Sequence, residues 1–92
     1  MEWRCNHILV KDRGKAEDLL RQVKQGANFE SLARSFSTCP SSSSGGDLGW
    51  FGEGKMVPAF ESAVKRLSPG SVSDIVQTGF GYHIIKCTGR RD

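Results

Sequence analysis

The chain has 92 residues, of which 37% are hydrophobic and 25% are charged, and its formal net charge is +3. This length provides one modest hydrophobic core, so we expect a single domain over residues 1–92. The composition excludes an intrinsically disordered chain, and the basic residues are dispersed rather than clustered, which does not favour nucleic acid as a partner.

The three cysteines, Cys5, Cys39 and Cys87, cannot all pair with one another, and no Cys-x-x-Cys spacing is present. A reducing compartment suits this pattern better than a secreted disulfide scaffold. No apolar run approaches the length of a membrane span, and the N-terminus lacks the long apolar core of a signal peptide. We therefore expect a cytoplasmic monomer without membrane contact, provided that the chain is not cut from a longer precursor.

The first predicted element is a strand in "WRCNHILVK", residues 3–11, whose alternation places Cys5, His7 and Leu9 on one face. A helical apolar stripe then starts near Lys15 and ends at Gly26.

Asn28 is positioned to cap a second helix with its own apolar stripe. The stretch "STCPSSSSGGDLGWF", residues 37–51, predicts a long surface loop with little regular structure until a short strand at "DLGWF". Pro58 favours the start of a third helix.

Two extended segments complete the chain: "VSDIVQT", residues 72–78, and a last strand in "TGFGYHIIKC", where Gly79 and Gly81 suit a hairpin with positive φ. The predicted order is a strand, two helices, a short strand, a helix and two strands. This order indicates an α+β domain with a small, mostly antiparallel sheet and helices packed against it.

Cys39 raises the question of thiol catalysis, which needs an imidazole within hydrogen-bond reach. Both histidines, His7 and His83, fall inside predicted strands, and no helix N-terminus is predicted at Cys39 to lower its pKa. A covalent cysteine enzyme is therefore disfavoured. The His and Cys positions also lack the spacing of zinc sites, so we expect neither a metal nor a cofactor.

If the first and last strands pair antiparallel with His7 opposite His83, then Cys5 faces Ile85 and Trp3 faces Cys87. Cys5 and Cys87 would then be diagonal neighbours, about 7–8 Å apart between Cα atoms. That separation predicts reduced thiols rather than an unstrained disulfide.

Four segments in this order and spacing resemble the parvulin family of peptidyl-prolyl cis/trans isomerases, and together they cover almost the whole chain. They are "HILVK" at 7–11, "FESLARSFSTCPSSSSGGDLGWF" at 29–51, "GKMVPAFESAV" at 54–64 and "FGYHIIK" at 80–86. The resemblance implies a four-stranded antiparallel sheet surrounded by about three or four helices.

The implied activity is rotation about X-Pro peptide bonds in unfolded or flexible protein segments, which assists protein folding. This rotation faces a barrier of about 18–20 kcal/mol because amide resonance must be broken. Breaking resonance requires no nucleophile, metal or cofactor, so the implied mechanism is non-covalent, with proline-containing peptides and unfolded chains as partners.

By resemblance, the proline pocket is lined by Leu48, Met56, Phe60 and Phe80. From the residues alone, ordinary core is the favoured interpretation of Met56 and Phe60.

A polar network around the pocket is implied as the catalytic group: His7, Cys39, Thr78 and His83. We expect the two histidines to be neutral and hydrogen-bonded to each other, with Thr78 setting their tautomers. Other family members carry an aspartate where this chain has Cys39, which argues against covalent chemistry.

The connection "KDRGKAED" is shorter than the basic loop of the phosphate-directed branch of the family. We therefore expect no strong preference for phosphoserine-proline, and a preference for apolar residues before proline. Two alternatives remain: a binding module that keeps the groove without catalysis, and, less favoured, nucleic-acid binding.

Overall fold

A computed structural model describes all residues from 1 to 92. In chain order the elements are β1 (Glu2–Val10), α1 (Arg13–Lys24), α2 (Phe29–Phe36), a 3₁₀ helix (Pro40–Ser44), β2 (Asp47–Gly52), α3 (Pro58–Lys65), β3 (Val76–Thr78) and β4 (Gly81–Arg91). The four strands form one antiparallel sheet in the order β2-β1-β4-β3. The α+β class and the four-stranded antiparallel sheet are thus confirmed. None of the helices is both long and apolar enough to cross a bilayer.

The sheet is covered on both faces, which divides the buried side chains into two clusters. The even-numbered face of β1 packs with α1 and α2, and this cluster contains Ile8, Val10, Ala16, Leu19, Phe29, Ala33 and Ile84. The odd-numbered face packs with α3, and this cluster contains Trp3, Cys5, Phe51, Phe60, Val64, Leu67, Ile85 and Cys87. The predicted alternation of β1 is therefore confirmed.

The helix starts follow from side-chain caps. Helix α1 begins at Arg13, two residues earlier than predicted, because the Asp12 carboxylate accepts a hydrogen bond from the backbone N–H of Lys15. The predicted cap of α2 is confirmed, since Asn28 Oδ1 accepts from the N–H of Ser31 at 2.9 Å. Pro58 occupies the first turn of α3, also as predicted.

Three local features differ from the predictions. The stretch predicted as an irregular loop contains the 3₁₀ helix Pro40–Ser44. The segment 72–78 pairs as a strand only over Val76–Thr78, with an isolated bridge from Val72 to Lys86. Of the two hairpin glycines only Gly81 has a positive φ, at 137°, so the prediction for Gly79 was wrong.

The pairing of β1 with β4 is antiparallel as predicted, but the predicted register is wrong by two residues. Cys5 lies opposite Cys87, and His83 lies opposite Leu9 instead of His7. A slip of two residues keeps every side chain on the same face of the sheet, so the alternation of apolar residues cannot distinguish the two registers.

Consequently, His7 faces Ile85, and Trp3 faces Arg90 rather than Cys87. The register also shifts between Arg4 and Cys5, which places one extra residue on β4. This bulge has no counterpart in the apolar pattern of either strand.

Candidate active site

The serine-rich segment after α2 is bonded to the edge of β1 rather than standing free in solvent. The backbone N–H of Thr38 donates to the carbonyl of Leu9 at 2.8 Å, and the N–H of Leu9 donates to Ser37 Oγ at 3.0 Å. These bonds fix the start of the segment that carries Cys39.

The other end of the segment is fixed by a close approach of two backbones. The N–H of His7 donates to the carbonyl of Gly46 at 2.9 Å, and buried Asn6 donates through Nδ2 to the carbonyl of Gly45 at 2.9 Å. Gly46 has a φ of 85°, and a Cβ added there would lie 2.3 Å from the His7 carbonyl oxygen. Glycine is therefore required for this loop to lie against β1 beside His7.

The two histidines form a buried hydrogen-bonded pair. Their Nδ1 atoms are 3.1 Å apart, the rings stack with centroids 5.3 Å apart, and His83 Nε2 lies 2.7 Å from Thr78 Oγ1. The contact forms across the slipped register, since the histidines are diagonal rather than directly opposite.

Thr78 joins the histidine pair to the β3–β4 turn. Its Oγ1 accepts from the N–H of Phe80 at 3.1 Å and is also bonded to His83 Nε2, where either group can be the donor because a hydroxyl has one proton and two acceptor lone pairs. With both rings neutral, the two Nδ1 atoms share one proton in either arrangement. His7 Nε2 is buried without a hydrogen-bond partner.

Burial keeps both imidazoles neutral near pH 7. Burial, and secondly the neighbouring His83, lower the pKa of His7 to about 4. The pKa of His83 is also lowered, first by burial and then by the charge of Lys11. The edge of the Phe60 ring contacts both imidazoles, with centroids 5.7 Å from His7 and 5.3 Å from His83. Phe60 therefore covers part of both rings.

A pocket of about 590 Å³ opens above the histidines between the Cys39 segment, the start of α3 and the β3–β4 turn. Its lining consists of His7, Leu9, Lys11, Thr38, Cys39, Pro40, Leu48, Lys55, Met56, Val57, Phe60, Phe80 and His83. Seven of the eight residues predicted from the sequence lie in this lining. The eighth, Thr78, lies behind it, bonded to His83.

Cys39 is half-buried at the start of the 3₁₀ helix, and no hydrogen bond joins its Sγ to either imidazole. Its backbone N–H donates to Ser37 Oγ at 3.4 Å, and its carbonyl accepts from the N–H of Ser42 at 2.9 Å. The structure therefore supplies no imidazole base for a Cys39 thiolate. In the whole chain, no group of three or more His, Cys, Asp or Glu side chains is placed to hold a metal ion.

Sequence reasoning did not place two cations in the pocket. Lys11 and Lys55 both line it, and no carboxylate does. Lys11 Nζ donates to the carbonyl of Phe80 at 2.6 Å, which ties the end of β1 to the exposed β3–β4 turn. The positions of these lysines directly beside "HILV" and before Met56 were the available signal.

A second groove, of about 630 Å³, lies between α1 and the segment before β3, but only two of its eight lining residues are hydrophobic. Ion pairs Arg13–Glu17 and Lys24–Asp74 occupy its walls. The first pocket is therefore the better site for an apolar ligand.

A family model for the PPIC-type PPIase domain matches residues 7–89 of this chain. The foldase protein PrsA of Bacillus subtilis is 51% identical over 89 residues, covering 96% of this chain and 30% of that protein. The chaperone SurA of Burkholderia pseudomallei is 45% identical over 95 residues, covering 94% of this chain and 21% of that protein. The chain thus spans about a third or less of these relatives.

Solved structures share the backbone fold of this chain. The crystal structure of PrsA from Bacillus anthracis superposes with a TM-score of 0.97 at 46% identity, covering 99% of this chain and 42% of that one. The archaeal protein CsPin from Cenarchaeum symbiosum gives a TM-score of 0.85 at 45% identity, covering 96% of this chain and 92% of that one. The fold of this chain is therefore also that of a protein of nearly equal length.

Proposed function

The chain belongs to the PPIC-type PPIase family, the parvulins, and is a peptidyl-prolyl cis/trans isomerase domain; we propose that the pocket above the histidine pair is where it rotates X-Pro bonds, by a non-covalent mechanism. The observation that carries this proposal is the combination of an apolar pocket with a buried, neutral His7–His83 pair as its floor. The segments it acts on are unfolded or flexible, so the activity assists folding.

The apolar part of the pocket would hold the proline ring. Leu48, Met56 and Phe60 supply this surface, with exposed Phe80 at the mouth. Removing water from the amide favours the twisted state, because its nitrogen lone pair is no longer delocalised and charge separation falls. Binding that is stronger for the twisted amide than for either planar isomer lowers the barrier.

The histidine pair would act by shape and polarity rather than by proton transfer. Neutral rings at pH 7 do not offer an acid with a matched pKa. Thr78 holds His83, and His83 holds His7, so the floor of the pocket is rigid before substrate binds. Cys39 would flank the amide as a polar neighbour, since it has no base with which to become a nucleophile.

Substrate choice is proposed to favour an apolar residue before proline over a phosphorylated one. Only Lys11 and Asp12 separate β1 from α1, which leaves no room for a basic phosphate loop. The Lys11 ammonium is already bonded to the Phe80 carbonyl. Lys55 is left as a cation at the rim that attracts anions weakly at physiological salt.

We expect the chain to act as a monomer in the cytoplasm on unfolded proteins. The names foldase and chaperone carried by PrsA and SurA support unfolded clients. The cytoplasmic location is proposed chiefly from the cysteine pattern, and cell fractionation tests it.

The experiment is an NMR exchange assay on short peptides with Leu-Pro, Glu-Pro and phospho-Ser-Pro bonds. We expect catalytic line broadening or exchange cross-peaks for all three, fastest for Leu-Pro. Uncatalysed exchange takes about tens to hundreds of seconds, so catalysis is unambiguous. Peptide binding with an unchanged exchange rate would instead identify a binding module, and a large advantage for phospho-Ser-Pro would overturn the proposed specificity.

A further inference from the structure

Cys5 and Cys87 lie directly opposite each other on the two central strands, and both are free thiols with no exposed surface. The backbone N–H and C=O groups of Cys87 point away from β1. The N–H donates to the carbonyl of Ser71 at 3.0 Å, and the C=O accepts from the N–H of Gly70 at 2.8 Å. Cys5 and Cys87 therefore form a non-hydrogen-bonded pair of the antiparallel ladder.

Such pairs bring the two Cα atoms to about 4.5 Å and their side chains closest together. Disulfides span Cα separations of about 4.4–6.8 Å, so this position lies at the short end of the permitted range. The two side chains lie on the same buried face of the sheet, where Cys87 Sγ donates to the carbonyl of Gly89 at 3.5 Å.

We propose that Cys5 and Cys87 are a disulfide site that closes across β1 and β4 when the chain folds in the presence of a disulfide oxidant such as oxidised glutathione. One cysteine thiolate attacks the oxidant, forming a mixed disulfide and releasing one reduced glutathione. The other thiolate then displaces the second glutathione. Two electrons and two protons pass from the cysteines to the oxidant, which leaves as two thiols.

The disulfide forms during folding rather than in the folded domain. Both sulfurs are buried in the cluster under α3, and burial, followed by the proximity of Cys87, raises the pKa of Cys5 to about 12. Thiolate and oxidant therefore meet rarely in the native state, whereas both cysteines are accessible in the unfolded chain. Once formed, the bond is protected by the same burial. In a reducing compartment the pair remains as thiols.

The disulfide would stabilise the domain without involving its pocket chemistry. The bond joins residues 82 positions apart (87 − 5), so it closes most of the chain into a loop and lowers the entropy of the unfolded state. This consequence does not depend on whether the domain isomerises proline.

The test uses the Cys39→Ser variant, which leaves only these two thiols. The unfolded protein is refolded with oxidised or with reduced glutathione. After oxidative refolding we expect a mass lower by two hydrogen atoms, no free thiol on denaturation, and a disulfide linking the tryptic peptides CNHILVK (5–11) and CTGR (87–90). The urea midpoint should rise by about 1 M or more over the reduced form. Native protein given the same oxidant should react much more slowly.

The matched control is Cys5→Ala in the same background, whose urea midpoint should be the same after either refolding. If that variant does not fold, the mass and the peptide map of the Cys39→Ser protein still decide the question. Two free thiols, or only glutathione adducts, after oxidative refolding would overturn the proposal, as would a linked form with a lower urea midpoint.

Discussion

At Cys39, the side chain has no hydrogen bond to a histidine. The two Nδ1 atoms are bonded to each other and His83 Nε2 is bonded to Thr78, while His7 Nε2 has no partner, the sulfur included. The half-buried thiol stands at the pocket wall beside Pro40. We propose that its contribution is electrostatic and steric, so another small polar group should replace it.

Substitution at Cys39 tests this role directly. Cys39→Asp should keep isomerase activity within about tenfold of the parent, or about 1.4 kcal/mol in the barrier. Cys39→Ser serves as the near-isosteric control. The readout is kcat/KM on a Leu-Pro peptide. Complete loss of activity in both variants, with folding intact, would restore the covalent alternative.

Met56 tests the proline pocket, because its side chain lines the pocket and is only half-buried where it packs against the cluster under α3. Met56→Ala should lower kcat/KM about tenfold through lost apolar contact, with little change in Tm. The matched control is Val23→Ala, which removes a half-buried side chain on the opposite face of the sheet and should leave kcat/KM unchanged. Equal losses in both variants would place Met56 in the structural core only.

Among the elements, the segment between α2 and β2 determines where the site lies. Its two ends are bonded to β1 at Leu9 and at His7, so the segment extends the sheet edge instead of moving in solvent. Gly46 makes this possible, since its backbone approaches the His7 carbonyl more closely than any Cβ permits. The serine run inside it forms the 3₁₀ helix that begins immediately after Cys39.

A pair of alanine substitutions distinguishes the cost of losing this close approach from the cost of backbone strain. Gly46 and Gly49 both have positive φ, but a Cβ at Gly49 would meet nothing within 4 Å. Gly49→Ala should cost about 1–2 kcal/mol of unfolding free energy from backbone strain. Gly46→Ala should cost about 1–3 kcal/mol more, because the loop must move away from His7. Urea denaturation measures both, and equal costs would show that the contact with His7 is unimportant.

Across the whole molecule, the central strands β1 and β4 carry both the site and the core. His7 and His83 share a face with Cys5 and Cys87, and α3 covers that face through Phe60. The stability of the fold and the neutral state of the site are therefore linked. Adding a proton to the buried pair therefore lowers the free energy of unfolding of the whole domain.

This linkage predicts how stability depends on pH. The pKa of His7 is about 4 in the folded state and about 6.5 when exposed, so between these values the unfolded chain binds a proton that the native chain excludes. Stability contributed by the neutral ring is present above pH 6.5 and falls as pH is lowered toward 4. Urea unfolding should show a loss of about 2 kcal/mol from pH 7 to pH 5. In His7→Leu the loss should be clearly smaller, and an unchanged loss would contradict the assignment.

The sequence by itself determined the class of fold and the order of its elements, while the residues expected around the pocket followed from the resemblance to the parvulin family. Local signals carried the order of elements: the alternation in β1, the cap at Asn28 and the proline in the first turn of α3. These signals are set by neighbours within one or two turns of chain, which is why they can be read from a single sequence.

Only the tertiary structure decided the register of β1 against β4, the 3₁₀ helix after Cys39, and the approach of Lys55 to the pocket. Strand register depends on long-range pairing, and a slip of two residues leaves the apolar pattern unchanged. That slip separates the histidines into a diagonal pair and brings Cys5 opposite Cys87. The proposed disulfide site therefore depends on the pairing of strands that are distant in sequence, and a local sequence pattern cannot predict that pairing.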